Sequence, residues 1–370
     1  MLIGVPKEIK NHEYRVGITP AGANELIKNG HTVHIQSNAG DAIGFTDKSY
    51  ESVGAKIVAS AEELFKTCDM IIKVKEPQPN ECKMLRDGQI LFTYLHLAPD
   101  PEQTKALINS GAVAIAYETV TDSRGGLPLL APMSEVAGRL SIQAGAHALE
   151  KHKGGRGVLL GGVPGVKPAK VVILGGGVVG LNAARMAIGL NADVTILDRN
   201  INVLKSIDNM FNGRITTLYS NQYNLEQEIT EADLVIGAVL IAGASAPKLI
   251  TRNMLKTMKK GSVLVDVAID QGGCFETSRP TTHQEPTFVV DDVVHYCVAN
   301  MPGAVALTST LALTNATLPF AIQIANQGWK QAIHNNVHLK HGLNICNGHV
   351  TYEAVAKDLG YKYVNPDSLI

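Results

Sequence analysis

The chain has 370 residues, of which 45% are hydrophobic and 18% are charged, so it can fill two globular cores of ordinary size. Its 33 basic and 34 acidic residues nearly balance, which argues against a nucleic-acid or anionic-membrane partner. The five cysteines are scattered and match neither a disulfide framework nor a metal-binding spacing, so we predict a reducing compartment and no metal site.

The N-terminal segment carries charges where a secretory signal would have its apolar core. Lys7, Glu8 and Lys10 follow directly after the apolar run MLIGVP. Elsewhere we expect no uncharged apolar stretch to reach the roughly 18 residues that span a bilayer. The sequence therefore predicts a soluble, cytoplasmic protein without a membrane partner.

The first 120 residues alternate short apolar runs with amphipathic segments, which is typical of a parallel α/β sheet. The first helix is predicted from Thr19 to about Asn29, with Thr19 as N-cap, Pro20 at the first helical position and Gly30 just past the end. The predicted strands of this part are MLIGVP, HTVHIQ, MIIKVKEP, ILFTYLHL and AVAIAYETV.

A long helix rich in Ala, Gly and Ser is predicted over residues 132–153, as a connector between two domains. A loop rich in Gly and Pro follows at 154–168. After a second series of strands, helical structure is predicted from about Thr308 to His334, and the tail is expected to return to the first domain. The strands of the second series are KVVILG, ADVTILD, ADLVIGAVL, GSVLVDVAID and PTFVV.

A dinucleotide fingerprint opens the second series. Gly175, Gly177 and Gly180 form GxGxxG directly after a predicted strand and directly before a helix, the context that makes this pattern specific. Without Cβ atoms the backbone can approach a pyrophosphate, whose charge then lies at the helix N-terminus. Asp198 ends the next strand, where a carboxylate can bind a ribose 2′-hydroxyl and repel a 2′-phosphate. The pattern predicts NAD rather than NADP; the alternative is a glycine-rich turn with Asp198 as a solvated strand end.

Three ionisable residues are predicted beside strand ends in the first domain: Arg15, Lys75 and His96. In an open parallel sheet, ligands bind outside the carboxyl ends of the strands. Two cations facing one crevice need an anion, so we predict a substrate carboxylate held by the arginine fork, with His96 as the proton-transfer group. The alternative is a set of exposed strand-end charges, which we adopt for Lys73, and a structural histidine at position 96.

Two acids follow in GSVLVDVAIDQGG. Asp266 is interpreted as an ordinary buried acid with hydrogen-bond partners. Asp270 precedes Gln271 and two glycines at the point where the chain leaves the sheet, so it can face a ligand.

Longer motifs run through nearly the whole chain: GVPKEIKNHEYRVGITPAG, KVKEP, GQILFTYLHLA, AYETV, LPLLAPMSEVAGR, GGRGVLLGGVPGV, VDVAIDQGGCFETSRPTTHQEPTF, HYCVANMPGAV and TSTLALTNATLP. With these motifs the chain resembles the alanine dehydrogenases, a group that includes the nucleotide-binding component of proton-translocating transhydrogenases. The GGGVVG and PMSEVAGR segments look more like the dehydrogenase branch. Val203 stands where this family often has a basic residue near the adenosine.

The resemblance implies roles for individual residues. Arg15 and Lys75 would bind the substrate carboxylate, and His96 and Asp270 would be the catalytic acid-base residues. Besides the fingerprint glycines, the residues implied to contact NAD are Ser134, Val178, Val179, Asp198, Ser220, Val239, Leu240, Val267, Ala268, Ile269, Asp270, Arg279, Val298, Ala299, Asn300 and Met301.

The expected architecture is α/β with two doubly wound domains. A Rossmann NAD-binding domain (131–305) would be inserted into a Rossmann-like catalytic domain (1–130 and 306–370), with the active site in the cleft between them. The implied function is reversible oxidative deamination of L-alanine to pyruvate and ammonium by a cytoplasmic homo-hexamer. Two alternatives remain: the hydride-transfer component of a transhydrogenase, and a saccharopine-type lysine dehydrogenase.

Overall fold

A computed structural model of the protein describes residues 1–239 and 246–370. The chain divides into two compact units. Unit 1 comprises Met1–Met133 and Val305–Ile370, and unit 2 comprises Ser134–Ala304. Each unit contains one mainly parallel sheet with helices, so the predicted α/β class is confirmed.

The described residues form strands, α-helices and short 3₁₀ turns in alternation. The strands are β1 Leu2–Val5, β2 Thr32–Gln36, β3 Lys56–Val58, β4 Met70–Ile72, β5 Ile90–Thr93, β6 Val113–Ala116, β7 Lys170–Leu174, β8 Asp193–Asp198, β9 Thr216–Tyr219, β10 Leu234–Gly237, β11 Val263–Asp266, β12 Thr287–Val290, β13 Val293–Tyr296, β14 Leu343–Cys346 and β15 His349–Val350. The helices are α1 Pro20–Lys28, α2 Asp47–Glu51, α3 Ala61–Thr67, α4 Pro79–Met84, α5 Pro101–Ser110, α6 Ala131–Ala148, α7 Val178–Gly189, α8 Ile201–Phe211, α9 Gln222–Glu231, α10 Arg252–Leu255, α11 Ala306–Gln327, α12 Trp329–Asn335, α13 Val337–Lys340 and α14 Glu353–Leu359.

The sheet of unit 1 has the strand order β15-β14-β6-β5-β4-β1-β2-β3. The strands from β6 to β3 are parallel, while β14 and β15 each pair antiparallel to their neighbours. The chain winds outward from β1 to β3 and then returns to wind from β4 to β6 on the other side. The strand order therefore reverses between β1 and β4, and ligands of such sheets bind beside the carboxyl ends of the strands at this point.

The sheet of unit 2 has the order β12-β13-β11-β10-β7-β8-β9. Its strands are parallel except β12, which forms an antiparallel hairpin with β13. Here the order reverses between β7 and β10. The glycine fingerprint follows β7, so the topology places it at the position where nucleotides bind in doubly wound sheets.

The structure agrees with the helical segments predicted after Thr19 and after Thr308. In α1 the hydroxyl of Thr19 accepts a hydrogen bond from the Gly22 amide at 3.0 Å, which confirms the predicted cap. The helical segment predicted from about Thr308 to His334 is present as two helices: α11 ends at Gln327, Gly328 adopts φ 74° and ψ 153°, and α12 begins after it.

Two predicted strands end earlier than expected. β4 stops at Ile72 and β5 at Thr93, so Lys75 and His96 lie on the segments that follow these strands. The Glu8 side chain accepts the amide of Val74 at 2.7 Å and that of Lys75 at 3.3 Å. The Glu8 side chain, rather than a neighbouring strand, is thus the hydrogen-bond acceptor for these two backbone amides.

Lys73 was predicted to be exposed, and this is wrong. Its side chain is fully buried, with Nζ 3.1 Å from Glu8 Oε2 and 2.7 Å from Glu81 Oε1. Burial opposes the charge, but the two carboxylates outweigh it and raise the pKa of Lys73. The other oxygen of Glu81 accepts the Gln78 amide at the start of α4. The cluster therefore joins the segment after β1 to the end of β4 and to α4.

The expectation that no stretch is apolar and long enough to span a membrane is also wrong for one segment. Met301–Gln327 passes that test by length and composition, although core helices of soluble proteins pass it too. Within it, α11 buries a stripe that includes Leu313, Thr317 and Ile324 in unit 1. In the apolar window 39% of the residues are buried, and one buried stripe is typical of a helix that packs against a core by one face.

We expect Lys73→Met to lower the free energy of unfolding by about 3–5 kcal/mol, because it leaves two buried carboxylates without their cation. Lys75→Met is the matched control, since it makes the same change two residues away at a partly exposed position. There the loss should be no more than about 1 kcal/mol. Urea unfolding of both variants at neutral pH measures the difference; equal stability would contradict the role of the cluster.

Candidate functional site

Arg15 is buried and already paired. Its Nε donates to Glu13 Oε1 at 2.7 Å and its Nη2 to Glu13 Oε2 at 2.5 Å, while Nη1 lies 3.1 Å from the sulfur of Met133. Burial opposes the charge, but Glu13 outweighs it and raises the pKa of Arg15. The argument that an unpaired Arg15 would demand an anion is therefore wrong, because Glu13 supplies one. The sequence analysis missed Glu13, although its position two residues before Arg15 was a signal.

Lys75 lies on the segment after β4, beside the point where the strand order of unit 1 reverses. Thr93 donates its hydroxyl to the Lys75 carbonyl at 3.0 Å, which ties this segment to β5. The Lys75 side chain is mostly buried, and its Nζ lies 3.6 Å from Glu76 Oε2. Backbone contacts with Glu8 and Thr93 thus fix the position from which this side chain extends.

His96 lies three residues beyond β5 with 46% of its side chain exposed. The ring is therefore not buried within a strand, and the proton-transfer role of His96 stays a prediction. Its backbone has φ 49°, a left-handed conformation that is unfavourable for a residue with a Cβ. The ring stacks on Tyr94 with centroids 5.9 Å apart. Strain of this kind persists only where the surroundings enforce it, and it is common at functional sites.

Glu118 enforces this conformation and was missed by the sequence analysis. Its Oε1 accepts the His96 amide at 2.6 Å and the Leu95 amide at 3.1 Å, and it lies 3.9 Å from the His96 ring nitrogen Nδ1. Glu118 follows β6, the strand next to β5, so it reaches the loop from the neighbouring strand end. The motif AYETV contained it, but nothing local linked it to position 96.

The three fingerprint glycines of unit 2 differ in why a glycine suits each position. Gly175 has φ 102°, which favours glycine. A Cβ on Gly180 would lie 1.9 Å from the Gly175 carbonyl oxygen, so only glycine lets α7 pack this closely on β7. A Cβ on Gly177 would meet no described atom within 4 Å. Gly177 caps α7, and no side chain caps the first turn. These features fit a pyrophosphate held by the amides of that turn.

Asp198 ends β8 next to this loop. Its Oδ2 accepts the Gly176 amide and its Oδ1 accepts the Asn200 amide, both at 2.7 Å. Each carboxylate oxygen has a second acceptor position, so a ribose hydroxyl can still be bound. A Cβ on Gly176 would lie 2.7 Å from Val203 Cγ1, so the valine packs directly on the loop. The acid and the fingerprint thus fit NAD as the sequence predicted.

Several other residues predicted to contact NAD surround the same loop. A Cβ on Gly175 would lie 3.1 Å from Val239, and the Ser220 amide donates to the Asp198 carbonyl at 3.0 Å. Val178 and Val179 open α7. Ser134 lies near the start of α6, one turn before Gly138, where a Cβ would be 2.3 Å from the Val179 carbonyl. Leu240 lies outside the described residues.

The remaining predicted residues follow β11 and β13. Val267, Ala268 and Ile269 lead from β11 to Asp270, which is exposed in the 3₁₀ turn Ile269–Gln271. The guanidinium of Arg279 lies 4.2 Å above the ring of Phe288. After β13, Val298 and Met301 are buried, and Ala299 and Asn300 are half-buried.

The loop carrying Asp270 is anchored at Asp266. That side chain is fully buried, which confirms its interpretation as a structural acid, and burial raises its pKa. It accepts the amide of Cys274 at 2.8 Å and the hydroxyl of Ser278 at 2.5 Å. Lys248 donates to the carbonyls of Gly272 and Gly273 from the other side.

Metal ligands are not grouped in residues 1–239 and 246–370, where no cluster of three or more His, Cys, Asp or Glu side chains is arranged to hold an ion. The five cysteines are free and buried.

Comparison with protein families gives two adjacent matches. The model described as alanine dehydrogenase/PNT, N-terminal domain, matches residues 4–137, and that described as alanine dehydrogenase/PNT, C-terminal domain, matches residues 141–353. Together they cover most of the chain.

Similar proteins are named as alanine dehydrogenases. That of Halomonas elongata is 60% identical over 370 residues, covering 100% of both chains. That of Methanococcus maripaludis is 59% identical over 364 residues, 98% of each chain. A solved L-alanine dehydrogenase structure is 52% identical, with a TM-score of 0.95 over 97% of this chain and 99% of that one. A transhydrogenase structure from Sinorhizobium meliloti is 24% identical, with a TM-score of 0.81 over 96% and 100%, and shows the fold alone.

We expect Gly177→Ala to leave unfolding free energy within about 0.5 kcal/mol of wild type, because the added Cβ meets no described atom. It should raise the Kd for NADH by roughly tenfold or more, because the methyl group would stand between the amides and the pyrophosphate. Gly180→Ala is the comparison in which stability itself falls, by about 1–3 kcal/mol, because its Cβ overpacks against the Gly175 carbonyl. Fluorescence titration with NADH and thermal melts measure both. Normal NADH affinity in Gly177→Ala would contradict the pyrophosphate assignment.

Proposed function

The chain belongs to the alanine dehydrogenase/PNT family, and we propose on this basis that it catalyses the NAD-dependent, reversible oxidative deamination of L-alanine to pyruvate and ammonium. The observation that carries this function is the 60% identity to an alanine dehydrogenase over all 370 residues. The fingerprint glycines and Asp198 supply the residue types that NAD binding requires.

The two alternatives are less well supported. The transhydrogenase structure shares 24% sequence identity, whereas the alanine dehydrogenases above share 52–60%. A lysine dehydrogenase would use the same hydride chemistry on a longer substrate. The named relatives are alanine dehydrogenases along their whole length, which favours L-alanine.

We assign the substrate carboxylate to Arg15. Glu13 bonds the edge of the guanidinium formed by Nε and Nη2, and this pairing fixes the plane of the group. The side that carries Nη1 faces Met133, whose thioether is a weak acceptor that a carboxylate can replace. Lys75 then polarises the carbonyl that develops at the substrate Cα.

When bound, NAD accepts the hydride from the substrate Cα, which leaves an iminium that water attacks. We assign the proton transfers of the resulting carbinolamine to His96 and Asp270. Both side chains are exposed, and they lie on the segments that follow β5 and β11. Glu118 holds the His96 backbone, and Asp266 with Lys248 holds the loop of Asp270.

We also propose a homo-hexamer in the cytoplasm. Support for assembly comes from a hairpin in unit 2 on which Val163 and Val166 pair with each other and are 54% and 63% exposed. Leu159 beside it is 67% exposed. Clustered exposed apolar side chains mark interaction surfaces. Five free, buried cysteines suit a reducing compartment.

The function is tested with the purified chain alone. NADH should be consumed when pyruvate and ammonium are both present, and NADPH should be used at least roughly tenfold less efficiently, because Asp198 repels a 2′-phosphate. The readout is absorbance at varied substrate concentration. A requirement for a second protein would support the transhydrogenase alternative instead.

His96→Ala should lower kcat by roughly 10²–10⁴-fold if the ring transfers protons. The melting temperature and the NADH affinity should stay near those of wild type, because the ring is half exposed and lies in unit 1. His96→Asn is the sharper variant, since asparagine tolerates a positive φ but cannot transfer the proton. Near-normal turnover in both variants would remove His96 from the mechanism.

A further inference from the structure

Glu76 lies between two lysines in unit 1. Lys10 donates to Oε1 from the segment after β1, and Lys75 approaches Oε2 from the neighbouring residue. Lys10 is substantially exposed, whereas Glu76 and Lys75 are mostly buried. The Glu76 carboxylate thus contacts both Lys75, which we propose to bind the substrate, and Lys10, which has no proposed role in substrate binding.

The two contacts of this carboxylate differ in kind. Lys10 forms a hydrogen-bonded ion pair with Oε1. Within the part of the chain that the structure describes, Oε2 is buried and has no hydrogen-bond donor, because Nζ of Lys75 lies 3.6 Å away. A buried carboxylate oxygen without a donor is unfavourable, so Oε2 attracts the nearest ammonium group.

The carboxylate is ionised at neutral pH. Burial opposes its charge, but Lys75 and Lys10 outweigh burial and lower the pKa of Glu76. It is therefore an anion that competes with any carboxylate or carbonyl oxygen presented to Lys75. How strongly it competes depends on how much of its charge Lys10 already satisfies.

We propose that Glu76 is a positioning residue that competes with the substrate for Lys75, and that Lys10 sets the outcome by holding Glu76. With Lys10 in place, Lys75 is attracted by Glu76 but not hydrogen-bonded to it, so its donors can bind a substrate oxygen. Without Lys10, Lys75 becomes the nearest partner and closes on Glu76. Lys10 thereby tunes substrate affinity from outside the site. This inference rests on the substrate role proposed for Lys75.

The test is a double-mutant cycle on the whole enzyme with Lys10→Met, Glu76→Gln and the double variant. Lys10→Met should raise the KM for pyruvate by about three- to tenfold and leave kcat and the KM for NADH within about twofold. In the Glu76→Gln background, which lacks the competing charge, the same Lys10→Met change should have almost no effect. Strong non-additivity is the expected result.

Lys7→Met is the matched control. It removes an exposed lysine from the same segment and changes the net charge equally, so it reports any long-range attraction of the anionic substrate. Its KM for pyruvate should equal that of wild type. An equal rise in Lys7→Met, an unchanged KM in Lys10→Met, or the same rise in the Glu76→Gln background would each overturn the inference.

Failure of this inference can be told from failure of the proposed function. If wild type does not consume NADH with pyruvate and ammonium, the proposed function fails, and this inference with it. If wild type and Lys75→Met have the same KM and kcat, Lys75 lies outside the site and this inference is overturned, while the alanine dehydrogenase activity stands. If wild type is active and Lys75→Met is impaired, the cycle decides on Glu76 and Lys10 alone.

Discussion

The buried ion cluster of Glu8, Lys73 and Glu81 is the constraint on which the candidate substrate site depends. Three charges inside unit 1 are tolerable only because each finds a partner at 2.7–3.1 Å. Glu8 comes from the segment after β1, Lys73 from the end of β4 and Glu81 from α4. The second oxygen of Glu8 takes the amides of residues 74 and 75. Lys75 therefore starts from a backbone that a fully buried network fixes.

Carboxylate side chains also accept backbone amides at other strand ends. Glu118 takes the amides after β5, Asp198 takes an amide of the loop after β7, and Asp266 takes those of the loop that carries Asp270. A carboxylate accepts several such bonds, and charged acceptors bind more strongly than neutral ones. Irregular backbone outside the strands can then be held as firmly as a ladder would hold it. Positions that need unusual conformations, such as His96, become possible.

These contacts between distant carboxylates and backbone amides also explain what the sequence could and could not predict. The cap at Thr19 and the spacing of the fingerprint glycines are local, so the sequence predicted α1 and the nucleotide loop correctly. Glu81 is only eight residues from Lys73, but its other partner, Glu8, is 65 residues away, and Glu118 is 22 residues from His96. To predict that the strands end before Lys75 and His96, one would have to know that Glu8 and Glu118 bind the backbone amides at those positions. The helical segment after Thr308 was also predicted, without the break at Gly328 that separates α11 from α12.

Pairing also changes the electrostatic argument for the substrate. Unpaired cations would have attracted a carboxylate by relieving a buried charge. Instead Glu13 pairs with Arg15, and Glu76 faces Lys75. A bound substrate must therefore compete with Glu13 for Arg15 and with Glu76 for Lys75. Its affinity is the difference between the free energy of its own contacts and that of the contacts it replaces. Such a difference is modest and sensitive to small changes near the acids. The acids also orient the cations. Because Arg15 donates two hydrogen bonds to Glu13, the plane of its guanidinium is fixed, and a bidentate carboxylate requires such a fixed plane.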